Sequence, residues 1–361
     1  MIIAAAQDNG DPWLLKPGQV STTAARPALQ IETIEHVEPL GSQIGSFPKK
    51  TVPDALHDAL FGQLTPTEAE ITAAGGDAST VPPLQTYAVL DAAKFVNLPE
   101  LLADSGLKHC CLFKGDAYDE LKDVAPWTVR LEEGSSFTRN LFTRSDGPWH
   151  LWDSEPGIYI RSRTGLAALH SHLRKFFKLR DEAGAWYYLR LHDPRVTRAL
   201  LRGAPAFGHR LLVPQPQSYN LTVITCVESR AQIVRPNAGA QAERRPIRIG
   251  PQEKAVFRHL TFAARADNLI ASLDKRRAAA LPADPDARRA SRDVIVAAFH
   301  RIHGYGFQQQ IQQERWALWE LFYGAGFERT DPVLSRICGS RDQSSGERFA
   351  LFQRRLEEIY P

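Results

Sequence analysis

The sequence predicts an α/β (mixed α+β) N-terminal lobe, with a sheet and packed helices, followed by an all-helical C-terminal lobe. Three observations carry this. Short apolar runs bounded by turn residues alternate with helical patterns from Tyr87 to Val227. Beyond Gly250 the strand-like runs stop and only amphipathic helical patterns remain. Before position 86 the chain is rich in Thr, Ser, Pro, Gly and Ala and establishes no sustained period. The expected organisation is an extended or partly disordered arm over 1–85, an α/β domain over 86–250 and a helical lobe over 251–361.

Within the arm, VPDALHDALFGQL alone places Val52, Leu56, Leu60 and Phe61 at helical spacing. YAVLDAA is then a first strand, and Pro99 to Ala103 starts a helix. CCLFKG is a second strand closed by Gly115. DELKDVAPWTVRL holds a short helix, a proline break and a strand over Trp127 to Leu131. GIYIRS, residues 157–162, is a fourth strand. In TGLAALHSHLRKFF, Leu166, Leu169, Leu173, Phe176 and Phe177 share one helical face, and Thr164 is the expected N-cap.

The turn Asp181-Glu182-Ala183-Gly184 leads into WYYLRLHDPRV, read as a strand in which Trp186, Tyr188, Arg190 and His192 share a face. Asp193 then caps a helix, with Pro194 at its first position and Val196, Leu200 and Leu201 as its inner stripe. LTVITCV, residues 221–227, is a later strand. Four helices follow, over the segment opened by Pro251, over SRDVIVAAFHRI, over Gln308 to Tyr323 and over Glu347 to Ile359.

Composition limits the function classes. A hydrophobic fraction of 43% with 24% charged residues is that of an ordinary globular protein, long enough for about two domains. The net charge of +3 is unevenly spread: residues 1–85 carry 4 basic and 10 acidic side chains, so this piece is expected to lie against the basic middle of the chain. No apolar run approaches the ~20 residues of a membrane span, and MIIAAAQDNGD has no basic region of a secretory signal, so a cytoplasmic chain is expected. Cys110, Cys111, Cys226 and Cys338 show neither CxxC nor zinc spacing and are expected as reduced, packed thiols.

Candidate chemistry is sparse. His192 and Cys110 are the groups a hydrolase or transferase would use, yet the surrounding residues have structural work as strand end and helix cap. His170 with His172, and His300 with His303, lack the acidic residue of an HExxH pattern, so no metal is expected. No GxSxG elbow, P-loop or dinucleotide fingerprint is present, so no cofactor is expected. The clusters Arg244-Arg245, Lys275-Arg276-Arg277 and Arg288-Arg289 are interleaved with Asp284, Asp286 and Asp293, the texture of a solvated surface rather than a nucleic-acid track. The aromatics Trp316, Trp319, Phe322, Tyr323 and Phe327 read first as a core stripe and second as a candidate partner surface.

Four of these segments, YAVLDAA, DVAPWTVRL, HLRKFF and YYLRLHDPRV, occur in that order over about 110 residues. Together they resemble the bacterial family of type VI secretion effector chaperones, or adaptors (Tap/TEC), long catalogued as a domain of unknown function. The resemblance covers roughly residues 86–202, and WELFYGAGF is similar to the family's second lobe. His172, Leu173 and Arg174 match its HLR, and Asp193, Pro194 and Arg195 match its DPR. His192 departs from the pattern, which carries an aromatic there. The resemblance implies a non-enzymatic protein that binds a toxic effector and helps load it onto the VgrG spike, with no nucleic acid and no membrane among its partners. With no phosphate-binding loop in the sequence, Arg174 and Arg195 are expected to make structural contacts, held by carboxylates or backbone carbonyls of the same lobe.

Overall fold

In the computed structural model, residues 29–214, 219–237, 240, 246–275, 281–282 and 284–360 are described. Contacts divide the chain into two units, one up to Val256 and the other from Phe257 onward. Residues 1–28 of the arm expected over 1–85, the cluster Arg244-Arg245, and Arg276 and Arg277 of the cluster Lys275-Arg276-Arg277 lie outside the described residues.

The first unit opens with β1 (Leu29–Ile34), α1 (Asp54–Phe61), α2 (Glu68–Ala73), β2 (Gln85–Asp91), α3 (Leu98–Ser105), β3 (His109–Cys111) and α4 (Asp116–Leu121). There follow β4 (Pro126–Leu131), α5 (Ser136–Leu141), β5 (Gly157–Ser162), α6 (Leu166–Phe177), β6 (Lys178–Asp181), β7 (Trp186–Tyr188) and α7 (Pro194–Gly203). It ends with α8 (Pro205–Leu212), β8 (Thr222–Val227), β9 (Arg230–Pro236), β10 (Arg248–Ile249) and the first turn of α9 (Pro251–Lys275). Seven strands form one sheet in the order β1-β9-β8-β5-β2-β4-β3, every neighbouring pair antiparallel. A second sheet has the order β10-β6-β7, with β10 parallel to β6.

Register explains why these strands read as continuous apolar runs. Ala88, Leu90, Trp127, Val129, Tyr159, Ile224 and Ile233 share one face and pack in a core with Leu56, Leu60, Leu102 and Phe142. Val89, Ile158, Ile160, Val223 and Val234 are buried on the other face, which α6, α7 and α8 cover. With both faces covered, every position of a central strand is inside, and the period-2 signal disappears. Gly157 lies so close to β2 that a Cβ would meet the Val89 carbonyl oxygen at 2.1 Å, so this position excludes any side chain.

Residues 29–85 correct the expected arm. β1 is the sheet's edge strand, Leu56 and Leu60 are fully buried, and Val52 joins the same core. Two buried arginines of the GIYIRSR segment hold this stretch in place. Arg161 donates to Thr86 Oγ1 at 2.9 Å and to the Gly62 carbonyl, while Arg163 donates to the Pro82 and Leu64 carbonyls, each at 2.7 Å, and pairs with Glu70 at 3.0 Å. The acidic piece does lie on basic residues of the middle: Glu32 pairs with Arg235 at 2.9 Å and Glu35 with Arg230 at 2.7 Å. Mutually paired charges and buried apolar residues too few for a visible period are why the sequence reads as an arm.

In the second unit α9 continues, followed by α10 (Pro285–Gly304), α11 (Gln310–Tyr323), α12 (Pro332–Gly339) and α13 (Ser345–Ile359). The all-helical expectation holds, with α12 added as a fifth helix. Its Asp331-Pro332 start repeats Asp193-Pro194 and Asp284-Pro285: in all three the Asp side chain accepts backbone N–H bonds and Pro takes the first turn. No helix among the described residues is long and apolar enough to cross a membrane.

Candidate functional site

The segment after β7 is shorter as a strand than the sequence suggests. β7 ends at Tyr188, and Leu189 to His192 turn toward the helix, so His192 is buried while Trp186, Tyr188 and Arg190 are exposed. Asp193 caps α7 as expected, its Oδ1 accepting from the Arg195 N–H at 2.9 Å and the Val196 N–H at 3.3 Å. Thr197, Leu200 and Leu201 form the inner stripe, with Val196 at its margin. The expected cap of α6 does not form. Gly165 stands at that position, and Thr164 instead donates to the Tyr219 carbonyl at 3.2 Å.

The motif residues tie the unit to itself. Arg195 forks onto Glu155, Nε to Oε2 at 2.9 Å and Nη2 to Oε1 at 2.8 Å, a bidentate geometry only Arg provides. Arg174 donates through Nε to the Leu112 carbonyl at 3.1 Å. His172 is buried and donates through Nε2 to the Leu211 carbonyl at 2.8 Å, while burial lowers its pKa and keeps it neutral. Leu173 is buried, and His170 donates to the Cys111 carbonyl at 2.8 Å. HLR thus ties α6 to α8 and to the segment after β3, and DPR ties α7 to the loop before β5.

His192 stacks on Phe177, with centroids 6.0 Å apart and planes within 2°. Its Nε2 stands 3.6 Å from Asp91 Oδ2, beyond hydrogen-bonding distance, while Arg190 reaches that oxygen at 3.0 Å. Burial pushes the His192 pKa down to about 4, and the nearby Asp91 carboxylate only partly opposes it. A ring so weakly basic is poorly matched to proton transfer near neutrality. Burial likewise pushes the Cys110 thiol up to about 11, leaving almost no thiolate at pH 7. In the second unit His300 faces His259 at 3.3 Å, and no group of three or more His, Cys, Asp or Glu converges as metal ligands among the described residues.

Of the five aromatics in the candidate partner surface, two are removed from it by burial. Trp316 is 0% exposed and Phe327 nearly so, both packed on Phe352 and donating nothing to a surface. Trp319 is half-buried, and Phe322 and Tyr323 are exposed, at 68% and 40%. Tyr323 stacks on Tyr360 with centroids 4.3 Å apart, and Trp319, Tyr323 and Tyr360 border a cleft of about 220 Å³.

A larger concavity, of about 470 Å³, lies in the first unit against β6, α6 and α8 and was not anticipated from the sequence. Lys175, Lys178, Arg180, Arg210 and Arg248 line it, with no acidic residue among the described residues that line it. Cross-strand pairing creates its rim: Lys178 stands opposite Tyr188 and Arg180 opposite Trp186. The Arg180 guanidinium lies 4.0 Å from the Trp186 ring centroid and the Lys178 ammonium 4.7 Å from it. The sequence signal was present, as KLR and WYY on two strands joined by the Asp181 turn, but their pairing becomes visible only once the hairpin is seen.

Fold and motifs together define a mixed α+β domain whose shared charged residues are engaged by its own backbone and carboxylates, with a basic concavity on one side. Within it, residues 86–206 match the family described as Domain of unknown function (DUF4123), which is known in type VI secretion effector-associated contexts. No curated protein matches the chain. No solved structure matches it either.

Proposed function

We propose that this chain is a non-enzymatic chaperone or adaptor, which binds a type VI secretion effector in the bacterial cytoplasm and helps load it onto the VgrG spike. The observation that carries the reading is the DUF4123 match over residues 86–206, the stretch that also holds the four ordered motifs. Two further observations support it. The HLR and DPR residues are occupied in holding the fold together. The alternative, a hydrolase or transferase using His192 or Cys110, would need a base and a thiolate that burial disfavours at both positions.

Exposed Phe322, and Tyr323 at the cleft of the helical unit, are candidate anchors for a partner, since a few aromatic or Arg side chains dominate most protein interfaces. Co-expression with the effector and spike proteins encoded beside its gene tests the reading. A ternary complex that survives purification is expected, and absence of any effector complex at micromolar concentrations sinks it. Phe322→Ala with Tyr323→Ala should weaken effector co-purification. Unchanged capture by that variant would move the binding surface to the first unit.

A further inference from the structure

Apart from His172 at its wall, the residues lining the basic concavity have no part in the motif ties described above. We infer that it is a docking site for an acidic segment of the partner protein, one that interleaves carboxylates with apolar side chains. This rests on the adaptor reading and adds to it the chemistry of what is recognised.

Charge carries the first half of the argument. Lys178, Arg180 and Arg248 line about 470 Å³ and form no ion pair among the described residues, and no acidic residue is among the described residues that line it. Like charges so arranged repel one another, and an anionic occupant relieves that repulsion. Asp181, next to Arg180 in the chain, is engaged by Lys254 at 2.7 Å instead. His172, at the wall, is kept neutral by burial and adds no charge. Arg180 sits over the Trp186 ring, 4.0 Å from its centroid, and a guanidinium can fork onto a carboxylate.

The second half comes from what lies between the charges. Leu179, Val213, Ile247 and the half-exposed indole of Trp186 form apolar wall between the cations. A bare phosphate would leave that surface wet, and a nucleobase would have to displace Arg180 to stack on the indole face it covers. Exposed Tyr188, opposite Lys178, extends the apolar rim outward. Carboxylates alternating with apolar side chains fit both features at once.

The test uses the full chain and a fluorescein-labelled peptide of alternating glutamate and leucine, read by anisotropy. Binding that weakens as salt rises is expected, because the contacts are exposed charge pairs. Arg180→Glu and Arg248→Glu should each weaken it roughly tenfold without altering the thermal melt, and Trp186→Ala should weaken it too. Equal binding by the charge-reversal variants, equal binding of a glutamine-for-glutamate peptide, or displacement by ATP or oligothymidylate overturns the inference. Its failure is separable from that of the adaptor reading. If the Arg180→Glu/Arg248→Glu double variant still captures effector and spike as well as the parent chain does, the cavity assignment fails and the adaptor reading stands. If the parent chain captures neither protein while binding the acidic peptide through these residues, the adaptor reading fails and the cavity's preference for acidic segments stands.

Discussion

Trp316 of the helical unit and Trp186 of the first unit are used in opposite ways. In the helical unit Trp316 is wholly enclosed, with the rings of Tyr305, Phe307, Trp319, Phe327 and Phe352 within 6.5 Å of its own and its Nε1 donating to Glu320 at 2.8 Å. In the first unit Trp186 is half exposed at 50% and its neighbour Tyr188 more so at 72%, with Lys178 over both rings and Arg180 over the indole. The same side-chain type is core where helical spacing brings other aromatics onto its face, and surface where a short hairpin sets cations across from it. Aromatic content therefore says little about a binding surface until the opposing strand or helix is known.

The sharpest test of the contrast is Trp316→Ala, which removes the largest fully buried side chain. A loss of about 3–5 kcal/mol is expected, read as unfolding of the helical unit in thermal or denaturant melts. A loss below 1 kcal/mol would mean that the aromatic cluster is not the core of that unit.

Between the two extremes lies the buried seam after β7, where His192 supplies a pH dependence. Unfolded, its imidazole titrates near 6.5, and folded it titrates at about 4. Between these values the unfolded chain binds more protons, so this contribution to stability is complete above pH 6.5 and is lost as the pH falls toward 4. Its full size is about 3 kcal/mol. His192→Phe should flatten the acid limb of the stability curve between those values, while His170, His172 and His303, also lowered by burial, act alike in both proteins. Identical acid limbs would show that His192 is not buried as described.

Removing the helix cap at the same seam costs less. Asp193→Ala should lower stability by ~0.5–2 kcal/mol, with amide exchange accelerating in the first turn of α7. An unchanged melt would show that Arg195 and Glu155 hold the turn without it. Smallest of all, Trp186→Ala should change stability by no more than about 0.5 kcal/mol, and a loss comparable with that of Trp316→Ala would erase the contrast between the two tryptophans.

Much of the candidate site was legible residue by residue. The Asp-Pro dipeptide specifies its own helix start, because cap and fixed φ act within one turn, and the structure shows it at Asp193, Asp284 and Asp331. The expectation that Arg174 and Arg195 would be held inside their own lobe is met by the Leu112 carbonyl and Glu155. His192 and the basic concavity were less readable. A short run of alternating residues does not say where the strand stops, and β7 stops four residues before His192.

By itself the sequence determined the features that depend on near neighbours. These are the central strands at Tyr87, Trp127 and Ile158, the amphipathic α6, the helical C-terminal half and the aromatic stripe of α11, since propensity, capping and periodicity act over one or two turns. Tertiary structure alone decided the rest: that β1 pairs with β9, about two hundred residues away in the chain, that Arg161 and Arg163 fasten residues 60–82 to the sheet, and that Lys178 and Arg180 meet Tyr188 and Trp186 across a hairpin. Each of these is a contact between segments whose local patterns are weak. Such contacts form because the assembled fold offers backbone partners to the buried arginines and a covered face to the apolar side chains, a condition no single segment expresses.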